Sequence, residues 1–448
     1  MTALPLATPR LPGDIDGAID LACNGLMVAI MQRSDDEDLR DVGIRSLQRS
    51  TLLLVLPLPV YGSGENGLID RQAHNGIHRW LDNFNSLIIC MPALGVEVAP
   101  ADVVALRESD FDGRVRVIRL PNSRAPLSFA RSLRGVSAIL DELVDQSTHL
   151  SFAIGGLFGD WAAIAALRAH RKGRTFSIWT DRVESEVTRF HASTSRGVRR
   201  IYWSAIAFAM KRYERLIVRR ATIGLFHGAD CYAAYARFSR APHLVHDIHL
   251  GESDRIAPAE LDAKIARPNG PLRIIYAGRA HAEKGIFDWI ETLSTIARRG
   301  VEFTAHWYGD GPALEAARVA VSSAGLDQSI FLPGAIYDRE LLLRKIREAD
   351  IFLFCHKTPE SPRCLVEALI SGTPIVGYDS AYPRDLIKRH QGGMLTEGEP
   401  QRLADVIERL AIDRSMLASL IRTAGADGHP FNDTEVFRHR SDLIKAAT

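Results

Sequence analysis

At 448 residues the chain is longer than one hydrophobic core usually organises, so two domains of roughly 200 residues each, with a cleft between them, are expected. Its 46% hydrophobic and 24% charged residues and a formal charge of +1 fit a soluble globular protein and exclude nucleic acid as an expected partner. Five scattered cysteines (Cys23, Cys90, Cys231, Cys355, Cys364), without a C-x-x-C pair, argue against a disulfide framework or structural zinc and point to a reducing cytoplasm.

Residues 1–50 form an extension rich in acidic residues around SDDEDLRD, with no assigned role. No basic region precedes an apolar run there, and no segment anywhere reaches the ~18 uninterrupted apolar residues of a membrane span. A cytoplasmic location is therefore expected. From Thr51 the run TLLLVLPLPV reads as a buried parallel strand, followed by the turn GSGENG and a helical stretch, RQAHNGIHRWLDNF. Further strand candidates, SLIICMP, RVRVIRL, LSFAIGG, TFSIWT and TIGLFHGADCY, alternate with helical patterns, the signature of a parallel sheet covered on both faces. Residues 51–255 thus read as a first Rossmann-like domain and 256–271 as a polar linker. A second α/β series, from LRIIYAG to GGMLTEG, fills 272–425. Residues 426–448 end in a helix expected to pack back on the first domain.

Chemistry concentrates in the second half. The strand LRIIYAG ends at Gly278-Arg279 and leads into HAEKG, so Arg279 and Lys284 project from the carboxyl end of a strand, where open α/β sheets bind ligands. A guanidinium and an ammonium five residues apart suit a diphosphate. Downstream, DIFLFC precedes HKTPESPRCLVEALISGTPIVGYD, a strand, a polar turn and a helix starting near Ser361 or Pro362. Backbone N–H groups at such a start favour an anion, which places Ser361 beside the diphosphate. Glu367, an acid among apolar helix neighbours, is expected in the cleft, accepting hydrogen bonds from a ribose diol. Glu360 is placed to accept from a sugar hydroxyl.

YAGRAHAEKG, YGDGPALEAA, IFLPGAIYDRELLLRKIREADIFLFC and ESPRCLVEALISGTPIVG follow one another at spacings that resemble the retaining glycosyltransferase family commonly called family 4. The resemblance covers roughly Leu272 to Glu397. It implies a GT-B fold, two Rossmann-like domains facing a central cleft, and a nucleotide diphosphate sugar, UDP- or GDP-linked, held by the second domain. Arg279 and Lys284 then meet the diphosphate, Glu367 the ribose and Glu360 the transferred sugar. The sugar moves to a hydroxyl of a saccharide or lipid-linked saccharide with retention of configuration, in cell-surface polysaccharide or lipopolysaccharide assembly. Glu360 and Glu367 have six residues between them, one fewer than the family usually places. More loosely, SIWTDRVES resembles the strand end near which some members carry an acceptor-site group, and Asp181 is the candidate for orienting or deprotonating the acceptor hydroxyl.

Other signals carry alternatives. Gly62, Gly64 and Gly67 satisfy Gly-x-Gly-x-x-Gly, but the acid a dinucleotide site needs after the second strand is missing, which leaves a Rossmann oxidoreductase as the lesser alternative. In the resemblance Gly62 and Gly64 belong to a loop facing the cleft. A catalytically idle nucleotide-sugar-binding GT-B protein is the other alternative. His243, His246, His249 and Asp247 read as cleft-lining rather than metal-ligating, and neither a catalytic metal nor a cofactor is expected. Segment 199–221 gathers seven basic residues beside an apolar stripe of Tyr202, Ile206, Met210, Tyr213 and Ile217. It reads chiefly as a core stripe with a solvated basic face, with peripheral contact at the inner membrane face as the second expectation.

Overall fold

The computed structural model describes residues 50–62, 67–99 and 102–448. The acidic extension through Arg49 and the expected loop glycine Gly64 lie outside them. Near-continuous apolar runs make strands whose side chains are hidden on both faces, as β1 (Thr51–Val55), β9 (Ile223–His227) and β14 (Ile351–Phe354) illustrate.

The first sheet runs β10 (Pro242–Val245), β9, β8 (Ser177–Thr180), β7 (His149–Ala153), β1, β4 (Ser86–Leu94), β2 (Val60–Tyr61), β3 (Gly67–Asp70), β5 (Val103–Leu106), with β6 (Val115–Pro121) also pairing β4. Only β3 pairs antiparallel, with β2 and β5. Its helices are α1 (Arg71–Leu81), α2 (Pro126–Gln146), α3 (Trp161–Arg171), α4 (Glu184–Thr194), α5 (Gly197–Arg220) and α6 (Gly228–Tyr235). Asp70 starts α1 by accepting from the backbone N–H groups of Gln72 and Ala73 at 2.9 and 3.1 Å, as an N-cap does.

Chain then passes through α7 (Pro258–Ile265) into a six-stranded parallel sheet, ordered β13 (Ile330–Gly334), β12 (Phe303–Tyr308), β11 (Leu272–Ala277), β14, β15 (Ile375–Tyr378), β16 (Gly393–Thr396). Around it lie α8 (Ile286–Arg298), α9 (Leu314–Ser323), α10 (Arg339–Glu348), α11 (Arg363–Ile370), α12 (Ala381–Leu386), α13 (Pro400–Ile412) and α14 (Arg414–Gly428). Residues 256–271 are more than a polar linker: α7 packs on α14, and buried Lys264 donates to Thr373 Oγ1 at 2.7 Å. The last helix, α15 (Asp433–Ala446), returns to the first lobe against α1, β7 and β10. Its Phe437 meets Trp80 edge to face at 5.1 Å.

Ser50–Thr448 form one compact unit. The lobes join where the end of β8 meets the turn before α11: Arg182 and Glu360 form an antiparallel bridge, and Val183 N–H donates to Pro359 O. Among the described residues no helix is long and apolar enough to cross a membrane.

Candidate functional site

Each lobe delivers its polar groups from the carboxyl ends of its parallel strands, where the chain leaves the sheet and side chains are no longer covered by helices. In the second lobe β11 ends at Gly278-Arg279, and the exposed Arg279 guanidinium has no hydrogen-bond or ion-pair partner among the described residues. The following turn closes at Gly285, φ +73°, where a Cβ would stand 1.9 Å from Cys355 O, so only glycine lets the loop approach β14 this closely.

Lys284, one residue earlier, is buried and already partnered: its Nζ donates to Glu360 Oε2 at 2.5 Å. The other carboxylate oxygen lies 3.1 Å from His356 Nδ1. Burial pushes the Glu360 carboxyl up, but Lys284, His356 and Arg182 more than offset it and hold the group below its usual range. His356 is driven down to about 3, chiefly by burial, and is neutral at pH 7. Its Nε2 lies 2.7 Å from the Tyr276 hydroxyl. The sequence placed Lys284 and Glu360 on different parts of a donor; the fold makes them one buried ion pair.

Ser361, expected at the diphosphate, is committed elsewhere. Both its N–H and its hydroxyl donate to Asp181 O, at 3.1 Å each, so it joins the lobes and leaves no donor for an anion. Gly62 (φ +89°) likewise gives its N–H to Leu94 O at 2.8 Å instead of offering it to a ligand.

Glu367, on α11, faces a cavity of about 380 Å³ between the lobes. Ile336, Tyr337, Leu342 and Leu343 give it an apolar and aromatic side, while Arg71, Asn75 and Arg339 share the polar side with the carboxylates of Asp102, Asp254 and Asp433. Burial raises the Glu367 pKa, Arg339 and Arg363 pull it down, Asp254 adds to the rise, and the balance is upward. Neither Arg279 nor Lys284 lines this cavity.

Asp181 follows β8 at the mouth of a second cavity, about 180 Å³, beneath the first-lobe sheet edge. Asp181 is itself exposed, and desolvation by the protein around its carboxyl raises its pKa, Asp247 raises it further, and Arg363 and Arg182 oppose. The acid and two arginines around it escaped the sequence reading as a unit. Arg440 Nη1 donates to Asp247 Oδ1 at 3.1 Å, and Arg363 Nη1 lies 3.8 Å from Asp247 Oδ2. Burial pushes Asp247 up, yet His249, His227, Arg363 and Arg440 hold its carboxyl well below the usual range. His249 is itself driven to about 4 by burial, so at pH 7 the two guanidiniums are the cations that keep Asp247 ionised. The available signal was Arg440 sitting in the buried stripe Phe437, Arg440, Ser441, Ile444 of the last helix. His243 and His246 do not join His249 in a cluster, and the described residues hold no group of three metal-ligating side chains.

Two parallel-sheet lobes, with candidate ligand groups at the facing strand ends, define a GT-B architecture. Similarity to solved structures agrees. Sucrose-phosphate synthase from Thermosynechococcus elongatus matches with a TM-score of 0.62 at 14% identity, covering 89% of this chain and 99% of that one. The Anabaena protein HepE in complex with UDP matches with a TM-score of 0.61 at 15% identity, covering 89% and 100%. More particularly, residues 259–426 match the family model described as "Glycosyl transferases group 1", and the second lobe is a domain of that family. Among curated relatives, alpha-D-kanosaminyltransferase of Streptomyces kanamyceticus is 24% identical over 42% of this chain and 48% of its own length. A GDP-mannose-dependent alpha-mannosyltransferase of Mycobacterium tuberculosis is 27% identical over 38% and 43%. The chain spans just under half the length of these relatives.

Proposed function

We propose that the protein is a glycosyltransferase that moves a sugar from a nucleoside diphosphate carrier, UDP- or GDP-linked, to a hydroxyl acceptor with retention at the anomeric carbon. The observation that carries this reading is the interlobe cavity holding Glu367. It pairs an apolar, aromatic side suited to a base with a carboxylate suited to a ribose diol, in a lobe of the glycosyl transferases group 1 family. The names of the similar proteins, an alpha-mannosyltransferase using GDP-mannose and a UDP-bound structure, support the same class of donor.

In the proposed reaction the bond between the anomeric carbon and the diphosphate oxygen breaks while the acceptor oxygen bonds that carbon from the same face. Negative charge grows on the departing diphosphate. Arg279, unpartnered among the described residues, meets it, with Lys284 spanning diphosphate and Glu360, an electrostatic arrangement that works without a proton being moved by the second lobe. The acceptor proton passes to the departing phosphate, and Asp181, its pKa raised, orients the hydroxyl. Glu360 accepts from a sugar hydroxyl. Contact between the lobes excludes water and favours transfer over hydrolysis.

The acceptor is a saccharide or lipid-linked saccharide of cell-surface polysaccharide or lipopolysaccharide assembly, reached at the inner membrane face. Helix α5 supports the last point. Its C-terminal half buries Met210 and Ile217, the core stripe, but its first turns leave Val198, Ile201 and Tyr202 83%, 72% and 55% exposed beside Arg199 and Arg200. Exposed apolar groups among cations suit an anionic lipid surface. The enzyme assay is nucleotide release from UDP- and GDP-sugars with saccharide acceptors. Transfer by wild type and its loss in Asp181→Asn supports the reading, and binding without any turnover supports an idle nucleotide-sugar-binding protein.

A further inference from the structure

The cavity that opens at Asp181 is lined by charged groups, Asp70, Asp181, Asp247, Arg363 and Arg440, and by a larger apolar surface. The apolar walls are Leu54, Ile69, Ile77, Trp80, Met91 and Phe437, contributed by the first sheet, α1 and α15. Protein interiors are close-packed, and apolar cavities of comparable size stay dry and accept a benzene-sized group, so about 180 Å³ holds roughly six to eight carbon atoms. Gly76 lines the space from inside α1, where glycine weakens a helix. A Cβ there would stand in ordinary contact, 3.4 Å from His249 Cε1 and 3.6 Å from Phe437 Cζ, so a larger side chain must displace those rings or enter the cavity they line.

A second, independent feature points to an occupant. Arg440 lines the cavity with only 1% of its surface exposed, and its guanidinium lies over the rings of Trp80, Trp179 and Phe437 at 4.8–5.1 Å. One nitrogen is given to Asp247; Nε and Nη2 have no partner among the described residues. Buried N–H donors without acceptors are costly, and a ligand oxygen at this end relieves both.

We infer that this cavity receives the apolar portion of an amphiphilic acceptor, an alcohol carrying an alkyl or aryl group, with oxygen atoms directed to Arg440 and its reacting hydroxyl at Asp181. The inference rests on the transferase reading for the role of Asp181, while the binding it requires is separate from donor binding. Tryptophan fluorescence reports it directly, since Trp80 and Trp179 line the space. Hexyl β-D-glucoside, below its micellar concentration, is titrated against methyl β-D-glucoside, and UDP and GDP are titrated into the same samples by calorimetry. The hexyl compound should bind wild type at least tenfold more tightly than the methyl compound. Gly76→Leu should abolish that preference with nucleotide affinity unchanged, and Ala73→Phe, which leaves the N-cap hydrogen bond of Asp70 intact, does the same should the first variant not fold. Equal binding of the two glucosides to wild type, or a hexyl preference undiminished in a folded variant, overturns the inference. A hexyl preference in a protein that binds neither nucleotide overturns the donor assignment instead.

Discussion

Removing Lys284 should expose how the loop after β11 is held. In Lys284→Met the Glu360 carboxylate loses the ammonium 2.5 Å away, in a site where both side chains are 9% exposed. Breaking a buried pair by deleting one partner typically costs about 3–5 kcal/mol, and His356 at 3.1 Å offers partial relief by taking a proton, which favours the lower end, about 3 kcal/mol. At roughly 2–4 °C per kcal/mol for a lobe of this size, the second-lobe transition should fall by about 6–12 °C in scanning calorimetry. Lys284→Met combined with Glu360→Gln removes both charges at nearly constant volume and should recover most of that loss, because neutral replacements of buried pairs are often near-neutral in stability. The sign with pH is fixed by the lowered Glu360 pKa. The pair's contribution is complete above the free carboxyl value of about 4.3 and is lost as pH falls through the folded value, so wild type and Lys284→Met should converge in acid. A double variant as unstable as Lys284→Met alone would refute the coupling.

Burial drives His246, His249 and His356 to about 4, 4 and 3, so the unfolded chain binds more protons below about pH 6.5 and stability should fall continuously from there toward pH 4; a urea midpoint that is flat across this range contradicts the assignment. Glu367→Ala should weaken UDP or GDP binding roughly tenfold or more, the worth of a charged hydrogen bond, while 2′,3′-dideoxy nucleotides bind wild type and variant alike. Asp181→Asn should lower turnover by about 10²–10⁴ with donor affinity retained. Ile201→Ser with Val198→Ser should reduce sedimentation with anionic vesicles and leave the melting temperature unchanged, since both side chains are exposed.

Parallel strands were the legible part of this fold. TLLLV and IFLF are hidden on both faces and read as continuous apolar runs, and LRIIYA does so from Ile274 on. The antiparallel β3 insertion was not legible, because GLID is too short to carry a period. Residue type and position announced Arg279 and Glu367 as site candidates. What stayed hidden was pairing over distance: Lys284 with Glu360, Ser361 with the Asp181 carbonyl, and Arg440 with Asp247 across 193 residues. Such partners are chosen by how the lobes meet, and nothing in either local sequence encodes the other.

Calorimetric titration of wild-type protein and Arg279→Ala with UDP and GDP, in EDTA, tests the central claim most directly. Arg279 is exposed and unpartnered among the described residues, so its removal leaves the fold intact. The account predicts that wild type binds one of the two nucleotides without metal and that the variant binds it at least tenfold more weakly. Failure of folded wild-type protein to bind either, or equal binding by the variant, would contradict a nucleotide diphosphate site at the end of β11.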